Sequence, residues 1–359
     1  MKIVIAERLH PFSHLPGTKF LLPKTSWAVQ VFPTRLSFWD LEEMESAFSL
    51  TFDFQGPIKE FTAELNLERD ALYVFGLTQK GYMRYELCSK ENRLWLTMEK
   101  TPQEMVVCRK SAADDVIVLT QGKSVSLCAS ASNGGNLRSK ERLSLGNHKA
   151  QDWDLMRRRL DCKEIFPPWF ALSSAALPNQ SNGSFSLLDT CKKKIDQGDK
   201  ETVLDAFENL FLASFEGILV PRLKDTDHHG IAPEEENHGL SAMDLLRESG
   251  RLIRSLFLQE KEGTITLLPC LPTPFHCGRM IQAKTSNGAF LSFEWSKKML
   301  KKVAIDSNFS GELRLKFPKG VRSFRLGKTS PVIPIDSNNE ASISFEAGKT
   351  VWLDRFQRR

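Results

Sequence analysis

Short segments in which apolar and polar residues alternate dominate the first 145 residues, and this periodicity limits the fold more than any other feature. Phe48, Leu50, Phe52 and Phe54 alternate with Ser49, Thr51 and Asp53, the period of two that presents one face of a strand to a core. Segments of the same character begin at Ala28, Glu60, Ala71, Met83, Arg93, Met105, Val116 and Ser124. Nine such strands divided by turn residues predict an antiparallel sandwich. The stretch from Ser130 to Arg142 reads as a loop, with Asn133-Gly134-Gly135 supplying positive-φ positions.

From Lys149 the period becomes helical. AQDWDLMRRRLD is followed by a break at Pro167-Pro168, then by WFALSSAAL, a loop at NQSNGS, and SLLDTCKKKIDQ. In the segment from Glu201, residues Val203, Leu204, Phe207, Leu210 and Phe211 keep i, i+3, i+4 spacing, and Gly217 and Pro221 are stop signals. The last helical pattern, SAMDLLRESGRLIRSLFLQEK, has Leu245, Leu246, Leu252, Ile253, Leu256 and Phe257 on its apolar side. Gly250 weakens its middle by ~1 kcal/mol relative to alanine. Four or five helices fit between Lys149 and Glu262.

After Gly263 the alternation returns in Leu291, Phe293 and Trp295, then in Val303 and Ile305, Leu313 and Leu315, Phe324 and Leu326, Ile343 and Phe345, and VWLDRF. The expected fold class is therefore α+β multidomain. Residues 1–145 form an N-terminal antiparallel β-sandwich, 146–262 a short central helical layer, and 263–359 a smaller C-terminal β-sandwich.

Composition narrows the function classes. A formal charge of +5, with both signs interleaved, gives no electrostatic stripe for nucleic acid, so no nucleic-acid partner is expected. The seven cysteines are scattered without a CxxC pair, which fits reduced, buried thiols. The opening MKIVIAERLHPF lacks the apolar region and cleavage site of a signal peptide, and no run of ~18 apolar residues suggests a membrane span. A cytoplasmic location without membrane association is expected. GxxxxGK[ST], GxGxxG and GxSxG do not occur, and no cofactor is expected.

The segments FLQEKEGTITLLPCLP (Phe257 to Pro272) and GRMIQAKTSNGAFLSFEWSKKMLKKVAI (Gly278 to Ile305) carry a family resemblance. They resemble the junction between the last barrel helix and the C-terminal β domain of (α/α)6-barrel glycoside hydrolases, and are most similar to the inverting α-L-fucosidase family. The resemblance implies a sandwich, a helical middle and a second sandwich, in that order. It also implies a carbohydrate context, with an oligosaccharide or glycan as partner. The chain departs from the pattern twice. Twelve helices of ~10–14 residues exceed the space between the sandwiches. In place of the family's glycine- and asparagine-rich acidic motif stand NHGLSAMD and LLRESG. Asp244 falls near the family's base by spacing alone.

An inverting glycosidase needs a carboxylic acid and a carboxylate ~6.5–9.5 Å apart. Glu216 is a candidate acid because FLASFEGILV is almost wholly apolar; pairing to a cation such as Arg222 is the alternative. Asp152 is a second candidate and Asp244 a third. His148, Gln151 and Trp153, at the joint between sandwich and helices, are candidate sugar-binding residues with Arg8 of the N-terminal loop. Helix capping and ion pairing account for that cluster equally well. Glu7, His10 and His14 share the N-terminal loop, and Trp27, Trp39 and Trp95 are further stacking candidates. His228, His229 and His238 with Glu234, Glu235 and Glu236 match no zinc spacing and read as a solvated loop, so no metal site is expected.

Two functional readings follow. One is a non-catalytic binding or interaction protein on a reduced glycoside hydrolase frame. The other is an active glycoside hydrolase using paired carboxylates, its incomplete helical barrel either forming an open cleft or completed by a second subunit, as a homodimer or with a partner. The sequence leaves open whether the chain is an enzyme.

Overall fold

A computed structural model describes residues 2–42, 46–111, 115–129, 141–176, 185–225, 227, 231, 239–327 and 332–358. The N-terminal part contains β1 (Phe12–Ser13), β2 (Thr18–Leu21), β3 (Trp27–Phe32), β4 (Arg35–Asp40), β5 (Ser46–Phe52) and β6 (Lys59–Asn66). It continues through β7 (Ala71–Thr78), β8 (Gly81–Lys90), β9 (Arg93–Lys100), β10 (Val106–Lys110), β11 (Asp115–Leu119) and β12 (Ser124–Ala129). Two six-stranded sheets result, in the orders β1-β6-β7-β8-β9-β12 and β11-β10-β5-β4-β3-β2. They pack face to face, as the stacking of Phe52 from one sheet on Tyr85 of the other shows, with centroids 5.1 Å apart. Leu36 and Phe38 of β4 are fully buried, a strand the alternation analysis did not separate.

β13 (Arg142–Ser144) pairs with residues 279–281 of the C-terminal part before the chain turns helical. Five helices follow: α1 (Trp153–Arg159), α2 (Cys162–Ser174), α3 (Ser186–Gln197), α4 (Val203–Ser214) and, after β14 (Phe215–Glu216) and β15 (Val220–Pro221), α5 (Ala242–Phe257). The expected break at Pro167-Pro168 does not occur: α2 runs through both prolines. Each proline lacks the N–H that would bond the carbonyl four residues earlier. Burial outweighs that loss, because Phe166 and Trp169 on either side interlock edge-to-face with Phe207 of α4. Two helices, α4 and α5, end earlier than their apolar periods suggest. The α4 pattern gives way to a two-residue strand at Phe215, and the FLQEK end of the α5 pattern becomes β16 (Leu258–Lys261), paired with β17 (Thr264–Leu267). Cross-strand pairing satisfies those backbone groups as a further helical turn would.

The remaining strands are β18 (Cys277–Lys284), β19 (Phe290–Ser296), β20 (Met299–Asp306), β21 (Gly311–Lys316), β22 (Val321–Leu326), β23 (Val332–Pro334), β24 (Glu340–Phe345) and β25 (Val351–Arg358). They complete a seven-stranded sheet, β13-β18-β19-β20-β25-β22-β23, facing a four-stranded one, β16-β17-β21-β24. The architecture is thus mostly antiparallel sheet at both ends with a small helical middle. One parallel pair, β17 with β21, breaks the antiparallel rule. Most of the buried apolar residues form one continuous cluster from Phe20 to Leu353, and Ala71, Tyr73 and Cys88 form a small separate one. Phe257 of α5 stacks on Phe275 and Trp295, which ties the helices to the seven-stranded sheet.

A row of charges crosses that sheet at one register level. Arg279 faces Glu294, Glu294 faces Lys302, Lys302 faces Asp354, and Asp354 faces Arg325, so the sign alternates over five strands. The pairs Lys302–Glu294 and Arg325–Asp354 close to 2.9 and 2.7 Å. Opposite charges directly across a pair contribute ~0.2–1 kcal/mol each.

Candidate functional site

The sequence candidates meet where the N-terminal edge, the start of α1 and the β14–β15 hairpin converge. Asp152 forms a parallel bridge with Phe12, whose N–H donates to the Gln151 carbonyl at 3.0 Å. The Gln151 side chain fastens the N-terminal loop from both ends of its amide. Its Oε1 accepts from the His10 N–H at 2.7 Å, and its Nε2 donates to the Arg8 carbonyl at 2.8 Å. Arg8 itself is exposed and holds this contact through its backbone. Asp152 is the N-cap of α1: its Oδ1 accepts from the N–H groups of Asp154 and Leu155 at 3.1 and 3.2 Å. Ser13 donates to Asp154 Oδ2 at 2.8 Å, so β1 and α1 are joined by side chains as well.

Trp153 is 1% exposed, packs edge-on against Phe211, and donates its indole N–H to the Gly217 carbonyl. Its ring presents no face to solvent. Gly217 has φ +50, and a Cβ there would lie 2.2 Å from the Lys19 carbonyl oxygen. Only glycine lets the hairpin approach β2 this closely, which Ile218 uses to donate its N–H to that same carbonyl at 2.7 Å. The apolar environment expected for Glu216 is not what its carboxylate meets. Glu216 Oε2 receives the Lys19 ammonium at 2.6 Å, and both side chains are partly solvated. Lys19 also sits 5.7 Å from the centre of the Trp39 ring. Arg222, the alternative partner considered for Glu216, instead caps α4 by donating to the Ala213 and Leu212 carbonyls and binds Asp225 and Asp227. Arg157 approaches Asp227 at 3.8 Å. Burial lowers the Arg157 pKa, and the neighbouring Arg222 charge lowers it further.

Asp244 lies apart from this joint in its bonding, at the first turn of α5. Its Oδ2 accepts from the backbone and hydroxyl of Ser241 while its N–H donates to Ser241 Oγ, a complete capping box. Its Oδ1 is bound by Arg247. Both oxygens are thereby occupied in a buried residue.

His148 is exposed near Glu7. Burial raises the Glu7 pKa, opposed by the hydrogen bond from Ser144 and by the charges of His148 and Arg142. Two polar centres here had no distinct sequence signal. Arg142 holds Glu68 at 2.7 Å and the Glu7 carbonyl at 2.7 Å. Glu164, with a side chain 1% exposed, takes Lys149 on one oxygen and Arg159 on the other. Burial alone would raise the Glu164 pKa, but those two cations bring it below the usual 4.5.

Among the described residues no three His, Cys, Asp or Glu side chains are grouped to hold a metal ion. His228, His229, His238 and Glu234, Glu235 and Glu236 lie outside the described residues. No helix among the described residues is long and apolar enough to cross a membrane.

Comparison with known proteins bears on the last third of the chain. No curated protein matches. The crystal structure of Ara127N-Se, a GH127 β-L-arabinofuranosidase from Geobacillus stearothermophilus T6, aligns with 14% identity and a TM-score of 0.23. That alignment takes in 48% of this chain and 30% of the arabinofuranosidase, so the chain spans under a third of that enzyme. The family model of the glycoside hydrolase family 95 C-terminal domain matches residues 259–353. The C-terminal part of this chain is therefore similar to the C-terminal part of a glycoside hydrolase.

Proposed function

We propose that the chain is a non-catalytic glycan-binding protein built on a glycoside-hydrolase-like frame. One observation carries this reading: each of the three candidate carboxylates already has a structural partner. Asp152 caps α1, Asp244 is bound by Ser241 and Arg247, and Glu216 is bound by Lys19. A general acid or base must present a carboxylate oxygen to the substrate, and these side chains are instead engaged in contacts that hold the fold together. The five described helices, against the twelve of the resembled barrel, point the same way. The free state of all seven cysteines suits a cytoplasmic location. The test is a glycan array together with aryl-glycoside assays on the wild type and Glu216→Gln. Binding without turnover is expected. Turnover that disappears in Glu216→Gln would overturn the reading.

A second reading, a hydrolase completed by another subunit, draws on one feature. Ser13–Asp154, Trp153–Gly217 and Lys19–Glu216 gather Asp152, Asp154 and Glu216 at one joint. It requires turnover by an oligomer and none by the monomer, which size-fractionated activity assays would separate.

A further inference from the structure

The charge of the chain is divided unevenly. Residues 263–359 carry sixteen Lys and Arg against seven Asp and Glu, a net of +9, while residues 1–262 carry a net of −4. Within the basic part, Glu294, Glu340, Glu346 and Asp354 are each paired to a cation. Lys297, Lys298, Lys301, Lys319 and Arg322 make no ion pair among the described residues.

Several of these unpaired cations lie at one end of the seven-stranded sheet. Lys297 and Lys298 form the turn between β19 and β20, and Lys319 lies in the turn that leads into β22. Val321 at the start of β22 pairs with Arg358 at the end of β25, which brings the last strand to the same place. A shallow crevice opens there, with room for about one water molecule; Lys298, Lys319 and Gln357 line it together with Met299, Leu300, Pro318, Val321 and Phe356. No carboxylate lines it.

We infer that the basic surface around this crevice binds an acidic oligosaccharide, one bearing carboxylate or sulfate groups on its pyranose rings. The inference rests on the glycan-binding reading above and names the class of glycan. The two ammonium groups suit the anionic substituents and the Gln357 amide suits ring hydroxyls. Lys297 in the turn before β20 and Lys301 within β20 extend the positive field for further anionic units. Nucleic acid fits less well. The aromatic ring at the crevice, Phe356, packs against Phe317 and Phe324, and single-stranded nucleic acid is held largely by bases stacked on open aromatic faces.

The experiment measures binding of fluorescent polygalacturonate and heparin oligosaccharides, a neutral glucan oligosaccharide and single-stranded DNA. The proteins are the wild type, Lys298→Glu/Lys319→Glu, and a control, Lys192→Glu/Lys193→Glu, on exposed positions of α3. All lysines changed are at the surface, and melting curves confirm that each variant folds. The expected result is acidic-oligosaccharide binding that weakens at least tenfold in the crevice variant, stays within twofold in the control, and falls with added salt. Equal losses in both variants, or DNA bound as tightly as the acidic glycans, would overturn the site. Binding of neutral glycan that is unchanged in the crevice variant would remove this site and leave the glycan-binding reading standing. Absence of any glycan binding by the wild type would remove both.

Discussion

Gly250 offers a sharp test of how the helical layer is assembled. Helix propensity alone says that Gly250→Ala should stabilise α5 by ~1 kcal/mol. The packing says the reverse. A Cβ at position 250 would lie 1.9 Å from Ser173 Oγ and 2.4 Å from Ser173 Cβ, so α2 and α5 would have to move apart. Ser173 is 6% exposed and its hydroxyl is already bonded to the Phe170 carbonyl, so it cannot swing away freely. Overpacking of this kind costs ~1–3 kcal/mol. Separation would also strain the neighbouring Trp169–Ser249 hydrogen bond, worth ~1 kcal/mol. After the propensity gain is subtracted, Gly250→Ala should destabilise the protein by ~1–3 kcal/mol. Urea unfolding followed by tryptophan fluorescence reads this directly, because Trp169 sits at the contact. Ser173→Ala should not rescue the variant, since its Cβ remains. Ser173→Gly removes both obstructing atoms and should recover most of the loss, less the ~0.5–1 kcal/mol of a glycine in α2. If Gly250→Ala raises the urea midpoint, the close approach of α2 and α5 is refuted.

Three further outcomes are expected. Glu164 has its folded pKa below 4.5, so its contribution to stability is present above pH 4.5 and is lost as pH falls through the lower folded value. Melting temperatures of Glu164→Gln should therefore fall less steeply than those of the wild type below pH ~4.5, and parallel curves would contradict the pairing with Lys149 and Arg159. Trp153→Phe keeps the buried ring but leaves the Gly217 carbonyl without its indole donor, for a loss of ~1–3 kcal/mol in urea unfolding; an unchanged midpoint would count against that bond. Thiol labelling of the native protein should mark the exposed Cys277 rapidly, while burial pushes Cys108 and Cys191 up to about 12 and keeps them unreactive. Equally fast labelling of all seven would mean that the core is open.

The two sandwiches were legible in the sequence because a buried strand face leaves a period of two, as in Phe48 to Phe54. Helix existence was legible too, and α3 was readable end to end as SLLDTCKKKIDQ. Boundaries were not, because Phe215 and Leu258 continue an apolar helical pattern equally well as strand residues. The prolines of α2 misled for a related reason: local backbone cost is visible in sequence, and the aromatic packing that outweighs it is not. The candidate site divides along the same line. Asp244 had a local signature, Ser241-x-x-Asp244, that identifies a capping box from sequence alone. The partner of Glu216 had none, since Lys19 lies 197 residues away and only the close approach at Gly217 brings the two together.

The alternating row Arg279, Glu294, Lys302, Asp354 and Arg325 bears on how the seven-stranded sheet finds its alignment. Sliding one strand by a single residue is self-correcting, because it would turn charges inward and apolar side chains outward. Sliding by two residues is the more dangerous error: inside and outside are preserved, and the core scarcely distinguishes the two alignments. Across β19 and β20, such a slip would take Lys302 away from Glu294 and set it against Ser292 or Ser296. The row thus acts as a vernier, resolving the one class of misalignment to which hydrophobic burial is blind.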